Sequence, residues 1–301
     1  MITVHGLRKT YDTRTAVDDL TFDVAAGRVT GFVGPNGAGK STTMRMMVGL
    51  TRPDRGSVRY DGIPYAALRH PTSVVGSVLD ARCMHPGRTA RNHLRAMAAL
   101  SRIPAARVDT VLAEVGLETA ADQRAGGFSL GMRQRLALAG ALLGDPRVLL
   151  LDEPSNGLDP DGIRWLRAYL SDFARRGGSV FVSSHLIGEL AMFADDLVVV
   201  GAGKLLAAES VAAITARSAV TVVVQTARSG EQAELARHLV GAGLDIELQG
   251  PRLLVRHSTR EVVSQIAFAR HIAVLELSVT SRSLEDSLLE LTAGSAEFAS
   301  A

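Results

Sequence analysis

Residues Gly34-Pro35-Asn36-Gly37-Ala38-Gly39-Lys40-Ser41, followed by Thr42, have the form G-x-x-x-x-G-K-S. Ahead of them Val29-Thr30-Gly31-Phe32-Val33 is a short apolar run of the kind that makes a buried strand. Behind them Thr42-Thr43-Met44-Arg45-Met46-Met47-Val48 reads as a helix. Strand, glycine-rich turn and helix is the setting in which this motif holds phosphate. The glycines let the backbone curl until successive N–H groups face inward. The helix N-terminus adds partial positive charge at the same spot. Lys40 is then placed to reach the β- and γ-phosphates of a nucleoside triphosphate, and the Ser41 hydroxyl to ligate Mg²⁺. A glycine-rich turn that binds nothing is the plain alternative. The choice of cation weighs against it. Of 33 basic residues only Lys9, Lys40 and Lys204 are lysine, yet the position that needs a compact charge on a flexible stem carries one.

The rest of the composition sets bounds. At 301 residues the chain suits about two domains. A hydrophobic share of 47% is that of a folded globular protein. A net charge of +2 gives no global sign of nucleic-acid binding, and none is expected as a partner. The single cysteine, Cys83, excludes a disulfide within one chain and fits a reducing cytosol. The opening Met1-Ile2-Thr3-Val4-His5 is strand-like rather than secretory. The apolar run Leu136–Gly144 is stopped by Arg135 and Asp145, far short of the roughly 18 residues a membrane helix needs. Any membrane-spanning part is therefore expected in another polypeptide.

Along the chain, Ile2–Leu7 and Ala16–Val24 alternate as antiparallel strands, with Tyr11 expected in a polar loop between them. Strands are expected at Ser57–Tyr60 and Val74–Leu79, then a helical stretch from Thr89 to about Val115, and a helix over Met132–Leu143. Strands return at Arg147–Leu151, Ser179–Ser183 and Leu197–Val200, alternating with helices near Asp161–Arg175 and His185–Ala194. Such alternation predicts a parallel sheet covered on both faces, with the helical stretch of about 86–145 inserted into it. Beyond about residue 215 the order is β-α-β-β-α-β, over Val220–Val224, Glu231–Val240, Asp245–Leu248, Arg252–Val255, Glu261–Ala269 and Ala273–Val279. That is the ferredoxin-like order, and a helix near Leu284–Leu291, capped by Ser283, is expected to close it.

A second stretch carries chemistry: Val148-Leu149-Leu150-Leu151-Asp152-Glu153-Pro154. Four apolar residues in a row suit a strand buried on both faces, and a carboxylate at its end sits on the sheet edge where α/β proteins bind ligands. Asp152 can hold Mg²⁺ there. Strand alternation turns Glu153 the other way, where it can take a proton from a water attacking the γ-phosphate.

With these two stretches, further motifs fall into order. Phe128-Ser129-Leu130-Gly131-Met132-Arg133-Gln134-Arg135 is similar to the LSGGQ signature of ABC transporter ATPases and its basic tail. Ser155-Asn156-Gly157-Leu158-Asp159 resembles the family's D-loop, and Ser183-Ser184-His185 its H-loop. Residues 1 to about 215 thus resemble the ATP-binding subunit of an ABC transporter, in particular the bacterial drug and antibiotic exporters whose ATPase and membrane subunits are separate chains. The resemblance implies an α/β fold: a P-loop NTPase of ABC type with an antiparallel β subdomain and a helical subdomain. The small C-terminal α+β domain would occupy 216–301.

The resemblance also implies roles. Tyr11 would stack on adenine, Gly34 through Thr42 would cradle the phosphates, and Lys40, Glu153 and His185 would carry the catalysis. Ser129, Gly131 and Asp159 would meet ATP held by a second copy of the chain, since one phosphate loop and one signature make two half-sites. Ser41 and Asp152 would ligate Mg²⁺. In Val74-Val75-Gly76-Ser77-Val78-Leu79-Asp80-Ala81 the family places a glutamine where this chain has Asp80, which can still bind Mg²⁺ or its water. Leu130 and Met132 also depart from the signature. The expected protein is a peripheral ATPase on the cytoplasmic face of the membrane, partnered by a copy of itself and a membrane-spanning permease. An importer ATPase, a soluble phosphotransferase and a non-transport ABC protein of translation or DNA repair are the rival readings. Arg88, Arg91 and Arg95 are expected either at the permease or on a solvated helix face. The tail beyond about 215 is expected to be a dimer contact or regulatory module, or else a folded appendage that shields the core.

Overall fold

The computed structural model describes residues 1–80, 84–217, 220–228, 230–256 and 258–281. The described residues divide into two compact units, the first ending at Val211 and the second running from Ala212. In the first, β1 (Ile2–Tyr11) and β2 (Arg14–Val24) form a long hairpin. After it come β3 (Val29–Val33), α1 (Lys40–Met47), β4 (Arg55–Tyr60), β5 (Ile63–Pro64), α2 (Pro71–Val74) and β6 (Val75–Val78). Three helices follow, α3 (Ala90–Leu100), α4 (Ala106–Glu114) and α5 (Leu130–Leu142). The unit continues with β7 (Val148–Leu151), α6 (Pro160–Arg175), β8 (Ser179–Ser184), α7 (Ile187–Ala191), β9 (Asp196–Gly201) and β10 (Lys204–Ser210). Helix α8 (Val211–Arg217) crosses the boundary between the units.

Two sheets organise this first unit. One is antiparallel, in the order β2-β1-β4-β5. The other runs β10-β9-β3-β8-β7-β6, parallel except for its edge strand β10. Every residue of β3, β7 and β8 is buried, which is why their sequences are nearly continuous apolar runs. In β1 burial alternates instead: Ile2 and Val4 face the core while His5 faces solvent. The two sheets share one core, centred on Phe22, Phe32 and Phe181, whose ring centroids lie 5.0–5.8 Å apart. Each such aromatic contact adds about 1 kcal/mol beyond area burial.

The parallel register decides where chemistry can happen. Val33 is level with Ser184, and Leu151 with Val182. The segments leaving β3, β7 and β8 therefore emerge side by side on the carboxyl edge of the sheet. Within the helical insertion Leu94, Val108, Val111, Leu112 and Leu136 are buried, and Arg91 pairs with Asp109 and Asp122 at the surface. Arg91 thus works inside the insertion rather than as a free solvated cation. Among the described residues no helix is long and apolar enough to cross a membrane.

In the second unit β11 (Val220–Thr226), α9 (Glu231–Gly241), β12 (Asp245–Gln249), β13 (Arg252–Arg256), α10 (Arg260–Ala269) and β14 (Val274–Ser281) follow the expected order. The sheet is antiparallel, ordered β12-β13-β11-β14. Val222, Val224, Leu253 and Val255 meet Leu235, Leu239, Val263 and Ala267 of the two helices in one core. Thr259 caps α10, accepting from the Val262 N–H at 3.4 Å.

Several expectations shift. Tyr11 ends a strand, paired with Arg14, rather than lying in a loop. The strand β10 has no counterpart in the sequence reading. The helix expected from His185 begins only at Ile187, so His185 sits in an irregular segment. Cys83 and the helix expected near Leu284–Leu291 lie outside the described residues.

Candidate functional site

The loop between β3 and α1 is shaped by two glycines. A Cβ on Gly34 would stand 2.3 Å from the Val200 carbonyl oxygen of β9, so only a bare backbone passes there. Gly39 caps α1 with φ +95°, a left-handed conformation, and its Cβ would stand 2.3 Å from the Ala16 oxygen. The loop is thereby pinned between the parallel sheet and the hairpin. Lys40, only 6% exposed, folds back onto it: Nζ donates to the Gly34 oxygen at 2.7 Å and the Pro35 oxygen at 3.3 Å. A phosphate entering the loop would exchange these neutral acceptors for charged ones, which bind an ammonium more strongly.

At the end of β7 the chain does something strand alternation does not foresee. β7 stops at Leu151, and Glu153 adopts φ +49°. A left-handed glutamate is uncommon and costs about 1 kcal/mol or more. That backbone turn, rather than the pleat, sets the direction of Glu153 relative to Asp152. One hydroxyl ties both residues to the neighbouring strand. Ser183 Oγ donates to Asp152 Oδ1 at 2.5 Å and accepts from the Glu153 N–H at 2.9 Å. The Glu153 carboxylate then reaches His185 Nδ1 at 2.8 Å and Lys40 Nζ at 3.5 Å. Three segments of the sheet edge thus meet through one carboxylate.

Lys40, Glu153 and His185 line an open cavity of about 460 Å³, and Asp152 is not among its lining residues. Of the expected site residues, Tyr11, Asn36, Gly37, Gly39, Lys40, Ser41, Thr42, Glu153 and His185 line it. Arg14, Ala16 and Asn156 line it as well and were not anticipated. The hairpin register offered a clue to Arg14, because it stands directly across from Tyr11. Ser183 was also missed, since nothing in a Ser-Ser-His stretch says which hydroxyl turns toward the carboxylates. Gly34, Pro35 and Ala38 shape the loop without lining the cavity; the Ala38 N–H donates to the Pro35 oxygen at 3.2 Å. Asp80 is exposed, two residues past the end of β6.

Ser129 and Gly131 are not among the residues that line this cavity. Ser129 caps α5, accepting from the Met132 N–H at 3.2 Å, and the helix starts at Leu130. Asp159 likewise caps α6, accepting from the Gly162 N–H at 2.8 Å. The two capped turns touch: a Cβ on Gly157 would stand 2.0 Å from Leu130 Cδ2, and one on Gly131 would stand 3.5 Å from Leu158 Cδ2. Leu130, which replaces a glycine of the signature pattern, therefore covers Gly157. Ser155 Oγ continues the chain of contacts by donating to Glu189 of α7 at 2.9 Å.

The donors available to a metal are hard oxygens, the Ser41 hydroxyl and the Asp152 carboxylate, which suit Mg²⁺. Among the described residues no three His, Cys, Asp or Glu side chains form a metal cage. Mg²⁺ keeps several waters and binds through one or two protein oxygens plus phosphate, so this donor set fits it.

Comparison with known proteins agrees with this geometry. The family model described as "ABC transporter" matches residues 17–156. The ABC transporter ATP-binding protein YhcH of Bacillus subtilis is 36% identical over 286 residues, covering 93% of this chain and 92% of its own length. The bacitracin transport ATP-binding protein BcrA of Bacillus licheniformis is 37% identical, with 68% of each chain covered. A solved ATP-binding subunit of an ABC transporter superposes with a TM-score of 0.65 at 26% identity, over 72% of this chain and 92% of its own. With the phosphate loop, the Asp152–Glu153 turn and His185 meeting on one sheet edge, the chain belongs to the ATP-binding, ATP-hydrolysing subunits of the ABC transporter family.

Proposed function

We propose that two copies of this chain clamp two ATP molecules and use their hydrolysis to drive export of an antibiotic-like amphiphile through a separate membrane-spanning subunit. The observation that carries the clamp is the split of the site. Lys40, Glu153 and His185 share one cavity, whereas the capped turn bearing Ser129 and Gly131 is not part of its lining. That turn offers a hydroxyl and free N–H groups at a helix N-terminus, ready for an anion held by another molecule. Export and the peptide-antibiotic class rest on the likeness to a bacitracin transport protein.

In this reading Tyr11 packs on adenine, and residues 34–42 hold the phosphates through backbone N–H groups. Lys40 leaves the Gly34 and Pro35 oxygens for the β- and γ-phosphates. Ser41 and Asp152 would hold Mg²⁺, Asp80 would bind the ion or its water, and the ion would supply charge that offsets the phosphates. Glu153 takes the proton of the attacking water, and His185 gives its one ring N–H to the γ-phosphate once ATP is bound, releasing Glu153 to act as the base. Asp159 positions the turn that faces the second copy. Residues 1–215 form the ATPase domain with its helical subdomain at about 86–145. Residues 216–301 form an accessory domain, and its sheet order supports a ferredoxin-like reading. The protein works on the cytoplasmic face of the membrane.

The clamp is tested by mixing chains. Lys40→Ala and Ser129→Arg variants, each inactive alone, should together recover ATPase activity, because one mixed dimer retains one intact composite site. A chain carrying both changes, mixed with wild type, forms no intact site in the mixed dimer. No recovery from the first mixture would refute the shared site. Export is checked by whether the chain, co-expressed with a membrane subunit, lowers accumulation of a labelled peptide antibiotic in an ATP-dependent way.

A further inference from the structure

We infer that Arg14 is an additional nucleotide contact, a second cation that holds the phosphate chain from the hairpin side of the cavity. The hairpin turns tightly, with Asp12 at φ +49°, and Tyr11 and Arg14 are partners across its end. Behind them the Thr10 and Thr15 hydroxyls lie 3.3 Å apart and lock the register. The tip therefore presents an aromatic ring and a guanidinium together.

Arg14 is aimed at the phosphate loop. Its Nη2 lies 3.4 Å from where a Cβ on Gly37 would stand, and it lines the same cavity as Lys40, Ser41 and Thr42. Neighbouring cations have acidic partners: Lys9 pairs with Asp54 at 2.9 Å, Arg8 with Asp18 at 3.1 Å and Arg28 with Asp196 at 2.5 Å. The Arg14 guanidinium has no ion-pair or hydrogen-bond partner among the described residues. The carboxylate lining the cavity, Glu153, is already engaged by His185 and Lys40. An uncompensated guanidinium beside a loop built for phosphate matches an anion with several oxygens, because its planar fork can take two of them at once. A hairpin arginine that only solvates the surface would have no reason to lie against Gly37.

The inference rests on the nucleotide site proposed above. The test uses the full chain and measures ATP, ADP and AMP as competitors of a fluorescent ATP analogue. For Arg14→Gln the dissociation constant for ATP should rise roughly three- to tenfold, as for a partly exposed charge-assisted contact. AMP, which has neither outer phosphate, should be unaffected. Arg14→Lys should recover part of the loss, and the salt dependence of ATP binding should flatten in Arg14→Gln. ATP binding by Arg14→Gln within twofold of wild type would overturn the inference. So would equal losses for ATP and AMP, which would mean a merely structural role for the hairpin. Failure of the wild-type chain to bind ATP would instead overturn the site itself.

Discussion

Replacing Glu153 by glutamine keeps the side chain's shape while removing its charge and its basicity. Two opposite effects follow from where the carboxylate sits. Its loss as a general base should slow hydrolysis by about 10²- to 10⁴-fold, or about 3–5 kcal/mol in the barrier. ATP binding should improve. Glu153 lies in the cavity 3.5 Å from Lys40 Nζ, where it competes with incoming phosphate for that ammonium. Like charges 4 Å apart repel by about 1 kcal/mol in water and about 4 kcal/mol at surface-like screening. Lys40 and His185 already offset part of the Glu153 charge, so the low end applies, and about 1 kcal/mol is about fivefold in affinity. The amide oxygen can still accept from His185, so folding stability should barely change. Single-turnover phosphate release gives the rate, equilibrium titration the affinity, and light scattering in ATP the population of closed dimers. Phosphate release within tenfold of wild type would refute the role given to Glu153. ATP affinity weakened rather than strengthened would refute the charge argument while leaving the base intact.

Gly39→Ala should abolish ATP binding, because its Cβ meets the Ala16 carbonyl at 2.3 Å on top of a left-handed penalty of about 1–2 kcal/mol. Gly177→Ala is the control, since φ is +94° there with nothing within 4 Å. It should lower the melting temperature modestly and leave binding intact. Arg135 stacks over Trp165 with its guanidinium carbon 4.0 Å from the ring centroid, and donates to the Val115 oxygen at 2.9 Å. Arg135→Ala should cost about 2 kcal/mol, read as a lower urea midpoint from the emission of the chain's single tryptophan. Burial, helped by nearby Arg88, holds His93 below the usual histidine value of 6.5. As pH falls below about 6.5 the unfolded chain takes up a proton that the folded chain resists, so stability is lost in that range. His93→Gln should flatten the fall in melting temperature between about pH 7.5 and 5.5.

Much of this was legible in the linear chain because the relevant signals are local. A glycine-rich turn between an apolar run and a helix names its own chemistry, and Val148–Leu151 announces a doubly covered strand by being wholly apolar. The β-α-β-β-α-β order of the second unit was readable from periodicity alone. Other features depend on partners distant in sequence. β10 is a strand because β9 offers it an antiparallel edge, although its own Leu-Leu-Ala-Ala run is by propensity helix-forming. Ser183 matters only because β8 lies beside β7, which brings its hydroxyl to Asp152 and Glu153.

The same division holds at the site. The sequence by itself pointed to a loop suited to phosphate and to two acids at a strand end, because backbone freedom and side-chain charge are properties of single positions. Only the tertiary structure decided which of them meet. The register of β3, β7 and β8 brings Lys40, Glu153 and His185 together, although they are separated by up to 145 positions in the chain. The left-handed turn at Glu153, not the alternation of a strand, aims its carboxylate. The hairpin lays Arg14 against the phosphate loop, and Leu130 covers Gly157. Contacts of this kind are set by sheet pairing and close packing across the whole fold, which no window of adjacent residues contains.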